Sequence, residues 1–188
     1  MKLYRLICLV ITLIFLTACT ASELPNAHDT TKIEPSPKVV TLDKNFQAAM
    51  GQTIYVPIYS HIYYENRQKS FELAATLSIR NTDLTNPMIV TSVRYYDSNG
   101  KLIRQYIERP IQLNALASTN FVVDRNDTSG GSGASFIVEW VAQTQVSEPI
   151  VEAVMIGSAL QQGISWISPG KVISSQNNQQ KSPAVPSS

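Results

Sequence analysis

The chain is poor in the side chains from which most metal and nucleophile chemistry is built. Among 188 residues there are 2 cysteines and 2 histidines. Cys8 lies inside an apolar run near the N-terminus and Cys19 follows that run. No cysteine remains beyond residue 19, so the later chain cannot close a disulfide of its own. With His28 and His61 as the only imidazoles, an ordinary closed zinc site of Cys and His cannot be assembled. A basic field is missing too: 15 Lys and Arg face 14 Asp and Glu, and taking away Lys2 and Arg5 leaves 13 against 14, a net charge of −1. Nucleic-acid affinity rests on neutralised phosphates, so that class of partner is excluded. No apolar stretch reaches the roughly 20 residues of a spanning helix. After the first run no amphipathic helix of a dozen residues can be traced.

What is present begins at the N-terminus. Lys2 and Arg5 precede an apolar stretch from Leu6 to Leu16 interrupted only by Thr12, the charged start and greasy middle of a removable secretory signal over residues 1–18. Leu16-Thr17-Ala18-Cys19 resembles the bacterial lipobox. That resemblance implies a diacylglyceryl thioether on Cys19, cleavage before it and acylation of the new amino terminus. Each buried methylene contributes about 0.8 kcal/mol, and two or three chains make attachment effectively permanent. The alternative is a plain secretory signal with an incidental cysteine. Thr20 stands where an Asp would mark inner-membrane retention in many Gram-negative lipoproteins. The expected location is therefore lipid-anchored in the cell envelope, on the periplasmic face of the outer membrane in a Gram-negative organism, with the membrane as a partner through Cys19.

Composition divides the rest. Residues 19–46, with Pro25, Pro35 and Pro37 among polar residues, read as a flexible tether with a span of roughly 30 Å. Residues 174–188, rich in Ser, Gln, Asn and Pro, read as a disordered polar tail. Between them, residues 47–173 are long enough for one cored domain. There the apolar pattern has period two: Ile54, Val56 and Ile58 alternate with Tyr55, Pro57 and Tyr59, and Leu73, Ala75, Leu77 and Ile79 alternate with more polar residues. Further strands are expected over 89–96, 102–107, 119–124, 134–142, 150–157 and 163–167. Asn99-Gly100 between two alternating runs predicts a hairpin in which both residues take positive φ. About eight short strands with frequent turns predict an all-β, antiparallel immunoglobulin-like sandwich, with a small β-barrel as the alternative. The narrower Cys-Trp-Cys immunoglobulin signature is missing.

Longer motifs carry a resemblance. Residues 51–63 (GQTIYVPIYSHIY), 77–83 (LSIRNTD), 127–134 (DTSGGSGA), 137–140 (IVEW) and 150–157 (IVEAVMIG) look like a family of uncharacterised bacterial lipoproteins catalogued only as a domain of unknown function. The resemblance covers roughly residues 48–173. It implies no activity, cofactor or catalytic residue.

The residues themselves offer few chemical starting points. Ser129-Gly130-Gly131-Ser132-Gly133 invites a phosphate-loop reading, yet no Gly-Lys-Ser/Thr follows and a strand comes next instead of a helix. A calcium loop starting at Asp124 fails where Ser129 replaces the required Gly and Ser135 the bidentate acid. A tightly turned or mobile strand connection is the plainer account. His61 would have to be the base of any Ser-His-Asp triad, and Ser60 points away from it if both lie in one strand. Glu139 and Glu152 sit in apolar runs. If 134–142 and 150–157 form a hairpin centred near residue 145, the two carboxylates lie nearly opposite and must be paired to arginine, separated by the pleat, or share a proton or cation. A hydrolytic pair would need about 5 to 9 Å between them and a sugar cleft. In strand register Tyr55, Tyr59, His61 and Tyr63 share one face, and exposed tyrosines anchor interfaces or stack on sugars. Pro57 favours an edge or bulge over a covered central strand. The expectation is a noncatalytic module, with no cofactor or metal, that presents this surface to an envelope protein. The alternative is a carbohydrate or small-ligand binder, and less so a hydrolase using Glu139 and Glu152.

Overall fold

The computed structural model describes residues 37–43, 45–66, 68–159 and 162–177. The signal segment, Cys19, His28, the tether up to residue 36 and the tail beyond 177 lie outside the described residues.

Period-two alternation becomes two packed sheets. In β2 (Met50–Pro57) the even positions Ile54 and Val56 are buried while Tyr55 between them is exposed. The same alternation in β10 (Ser135–Ala142) and β6 (Met88–Tyr96) puts Phe136, Val138, Trp140, Val90, Val93 and Tyr95 on the inner face. These strands form the middle of a larger antiparallel sheet. Its order is β1 (Lys38–Val39), β8 (Ile111–Leu113), β6, β10, β2 and β13 (Lys171–Asn177), with β7 (Leu102–Gln105) also paired to β6. The smaller sheet runs β12 (Gln162–Pro169), β11 (Ile150–Ala159), β5 (Ala74–Arg80), β9 (Ser118–Val123). Its inner residues Ala75, Leu77, Ile79, Val151, Ala153 and Met155 complete one core. Burying an apolar side chain of this size contributes about 1.5–3 kcal/mol. A separate hairpin joins β3 (His61–Tyr64) to β4 (Lys69–Glu72). The chain is an all-β sandwich in which neither sheet closes into a barrel, and a single 3-10 turn, Gly131–Gly133, is the one helical element among the described residues.

All eight expected strands form, and five others join them. Lys38–Val39, inside the stretch read as tether, pairs with Gln112 and Ile111. β13 extends to Asn177, inside the stretch read as tail. Both are sheet edges with exposed side chains, so neither needs an apolar alternation to form. The 97–100 turn departs from expectation in detail. Of Asn99 and Gly100 only Gly100 takes positive φ, at 78°, and Asp97 Oδ1 accepts the N–H of Asn99 and of Lys101. The aspartate thus supplies the turn's acceptor, as Asx turns do.

Residues 162–177 form nearly one extended segment that serves both sheets. It leaves the smaller sheet at Pro169 and enters the larger one at Lys171. Between them Gly170 donates its N–H to Val151 O at 2.8 Å. A Cβ there would lie 2.6 Å from Ile54 Cγ2 and 2.7 Å from Val151 O, so the crossing requires a glycine.

Candidate functional site

Three of the family-like motifs turn out to hold loops together. Asn81 is buried at the end of β5; its Nδ2 donates to Asn86 O at 2.9 Å and Asn114 O at 3.0 Å, and its Oδ1 accepts the Asp83 N–H. Asp83 Oδ1 accepts the N–H groups of Asn86 and Thr85, while Oδ2 accepts that of Ser147 at 3.0 Å. Those backbone donors, Asn86 first, hold its carboxyl far below the usual range. The glycine-rich turn does similar work. Its carbonyls at Gly130 and Gly131 accept from Ser98 and Ser60, and Ser98 Oγ accepts the Gly133 N–H at 2.9 Å. A Cβ at Gly130 would run into the Tyr95 hydroxyl, and burial raises that phenol's pKa. The loop is a tightly turned connection. Beside it Asp127 accepts from Ser129, which lowers its pKa, and bonds Arg104 Nη2 at 2.9 Å.

Ser60 and His61 come closer than adjacent strand residues would, with Oγ and Nδ1 3.4 Å apart, because Ser60 occupies the bend before β3. Its hydroxyl is fully buried and donates to Gly131 O at 2.9 Å. That oxygen is therefore turned into the fold, away from any substrate.

The supposed hairpin between Glu139 and Glu152 does not exist. Both edges of β10 are taken by β2 and β6, and the 143–149 loop carries the chain into the other sheet, where β11 pairs with β5 and β12. The two glutamates project from the outer faces of different sheets. Glu139 pairs with Arg94 across the larger sheet, and Glu152 lies 4.0 Å from Arg80 on the smaller. The arginine-paired reading holds for Glu139, and the geometry of a hydrolytic pair is lost.

The four expected aromatic residues divide. The bend at residues 58–60 ends the common register, so Tyr55 stands on the outer face of the larger sheet while Tyr59 turns to Trp166 of β12, edge to face at 6.0 Å. His61 and Tyr63 do share a face of β3, with ring centroids 5.0 Å apart. Tyr64, on the other face, lies under Lys69 at 5.9 Å. Tyr55, Tyr59, Tyr63 and Tyr64 are 36, 37, 53 and 43 % exposed. β2 is a central strand, but Pro57 lies past Tyr55, where pairing with β13 begins. Since Ile58 N bonds Ala134 O on the β10 side, proline's missing N–H faces the side where that ladder has ended.

The outer face of the larger sheet also has relief that alternation alone does not predict. Thr91 is an extra residue in β6 opposite the Glu139–Trp140 step, and Ile173 is an extra residue in β13 opposite Thr53–Ile54. Bulges of this kind re-aim neighbouring side chains. Between them Gly51 leaves a depression of about 240 Å³ lined by Thr53, Thr91, Glu139, Val141, Ser174 and Gln176. The smaller sheet keeps its register, with Val122, Thr76, Val154 and Ile167 in one row, and its own depression of about 200 Å³ beside Ala74 and Ile156 is mostly apolar. No group of three potential metal-ligating side chains occurs among the described residues, nor any helix long and apolar enough to cross a membrane.

Fold and surface together define a class: an antiparallel β-sandwich domain with exposed tyrosines and a grooved outer sheet. More particularly, residues 51–173 match the family described as Protein of unknown function (DUF3124), and the chain belongs to that family. No curated protein matches it. Two solved structures resemble it distantly. The crystal structure of Thermotoga maritima 1070 is 8% identical with a TM-score of 0.39, covering 64% of this chain and 92% of that one. FLGD from P. aeruginosa is 14% identical with a TM-score of 0.20, covering 66% and 74%.

Proposed function

We propose that the chain is a lipid-anchored, noncatalytic module of the cell envelope that presents its tyrosine-rich flank to a protein partner. The observation that supports this reading is the exposure of Tyr63 and Tyr64 on the β3–β4 hairpin and of Tyr59 in the bend just before it. Tyrosine buries a large, rigid area at low entropic cost when a partner covers it, and such rings concentrate at the centres of interfaces. On the same hairpin Glu65 is paired with Lys69 at 2.6 Å. The anchor rests on the lipobox-like residues ending in Cys19.

Crosslinking in intact cells followed by affinity capture tests the surface. One specific partner should be recovered with the wild-type chain and lost with Tyr63→Ala/Tyr64→Ala, while the melting temperature stays within a few degrees. Unchanged recovery from the double variant overturns the assignment of that flank. Labelling with an alkynyl fatty acid tests the anchor: the wild type should incorporate label and Cys19→Ala should not. Cleavage without lipid in the wild type removes the lipoprotein reading.

A further inference from the structure

We infer that the depression on the outer face of the larger sheet is a binding site for a neutral, hydroxyl-rich ligand, a sugar of about one ring. It lies on a different surface from the hairpin and does not depend on the partner proposed above.

The argument starts from how the depression is made. Four adjacent strands contribute to it: Thr91 from β6, Glu139 and Val141 from β10, Gly51 and Thr53 from β2, Ser174 and Gln176 from β13. A regular sheet would present a level row here. Instead one extra residue in each outer strand of the four displaces the flanking backbone, and the strand between them has a glycine at the floor. A side chain at that position would collide, since a Cβ on Gly51 would stand 2.7 Å from Trp140 O and 3.0 Å from Val141 Cγ1.

The lining then selects the ligand by elimination. Three hydroxyl-bearing residues, two glutamines (Gln52 and Gln176) and one carboxylate line the space together with Trp140, and Val141 is its single aliphatic side chain. An apolar ligand would strand those polar groups without partners, which is costly. A divalent cation needs several oxygen ligands, commonly more than one carboxylate, and the lone carboxylate here is bonded to Arg94. A phosphate would meet that carboxylate, and no Lys or Arg lines the space. What remains is an uncharged molecule dense in both donors and acceptors, which hydroxyl, amide and carboxylate groups can each satisfy. Tyr55, two residues beyond Thr53 on the same face of β2, is 36 % exposed and offers its ring to a sugar unit that extends past the lining residues.

The test uses the full lipidated chain in nanodiscs, titrated by calorimetry with maltotriose, cellotriose and chitotriose as neutral probes and with sodium sulfate and calcium chloride as charged ones. A neutral trisaccharide should bind with a Kd of about a millimolar, as expected for a shallow polar site. Ser174→Ala/Gln176→Ala should weaken that binding about tenfold, the loss expected when two hydrogen-bonding groups are removed. Both residues are exposed on an edge strand, so the double variant should fold as the wild type does. Gly51→Ala should abolish binding by filling the floor. If Gly51→Ala does not fold, the edge-strand variant alone carries the test. Absence of binding by all three trisaccharides at about ten times that concentration overturns the proposal. So does binding that the edge-strand variant leaves unchanged, or a response to sulfate or calcium that this variant removes.

Discussion

The outward faces of the two sheets are built from the same alternation and differ in register and polarity. Across the smaller sheet the registers run without a shift, so Val122, Thr76, Val154 and Ile167 stand in one line. Across the larger sheet two extra residues break the line, and hydroxyls gather around a glycine floor beside an arginine–glutamate pair. The lesson is that a pleated sheet becomes concave through added residues and missing side chains, while side-chain identity decides what the concavity can hold.

The comparison can be broken at several points. Trp140→Ala should have the largest effect, because that side chain is buried beneath the grooved sheet in the core both sheets share. A loss of about 3–5 kcal/mol is expected from cavity formation, measured by denaturant unfolding, with both faces lost together. Gly51→Ala acts on the grooved sheet alone and should cost about 1–3 kcal/mol through overpacking against Trp140 O.

A third change addresses the seam between the sheets. Asp83 binds Ser147 in the loop that carries the chain from β10 to β11. Its folded pKa is depressed below the ordinary 3.8, so its contribution is fully present above that value and is lost as pH falls through and below it. Melting temperatures should therefore drop more steeply between neutral pH and about pH 3 for the wild type than for Asp83→Asn. Parallel curves would show that the loop is held by other bonds. The smallest effect is expected at Gly163 of the smaller sheet, where an added Cβ has nothing nearer than Gly157 O at 3.8 Å. Gly163→Ala should be neutral or stabilising by up to about 1 kcal/mol.

Alternation made the core strands legible, because each buries one face for most of its length. It failed where a strand is too short to show the pattern or is exposed throughout. β1 has two residues, β8 has three, and β13 is exposed along its described side chains. Pairing was harder to read than strand position: nothing in residues 134–157 reveals that the edges of β10 are already occupied, which is why Glu139 and Glu152 looked like neighbours. The groove escaped notice for a related reason. Its bulges fall at Thr91 and Ile173, and neither glycine nor proline marks them. His61 and Tyr63 meet as their spacing implies, while Trp166 beside Tyr59, Arg94 beside Glu139 and Ser174 in the groove were not anticipated, because they come from strands distant in sequence.

The shortest strand has a mechanical consequence. Any pull on the chain ahead of Pro37 reaches the sandwich through Lys38–Val39, which is held by two register pairs to β8 and by one bond from Val40 to Pro110. Neither strand residue belongs to the core. Under load β1 should peel away one bond at a time, and it should do so before the strands of the shared core separate. It is the point at which the sandwich should yield first.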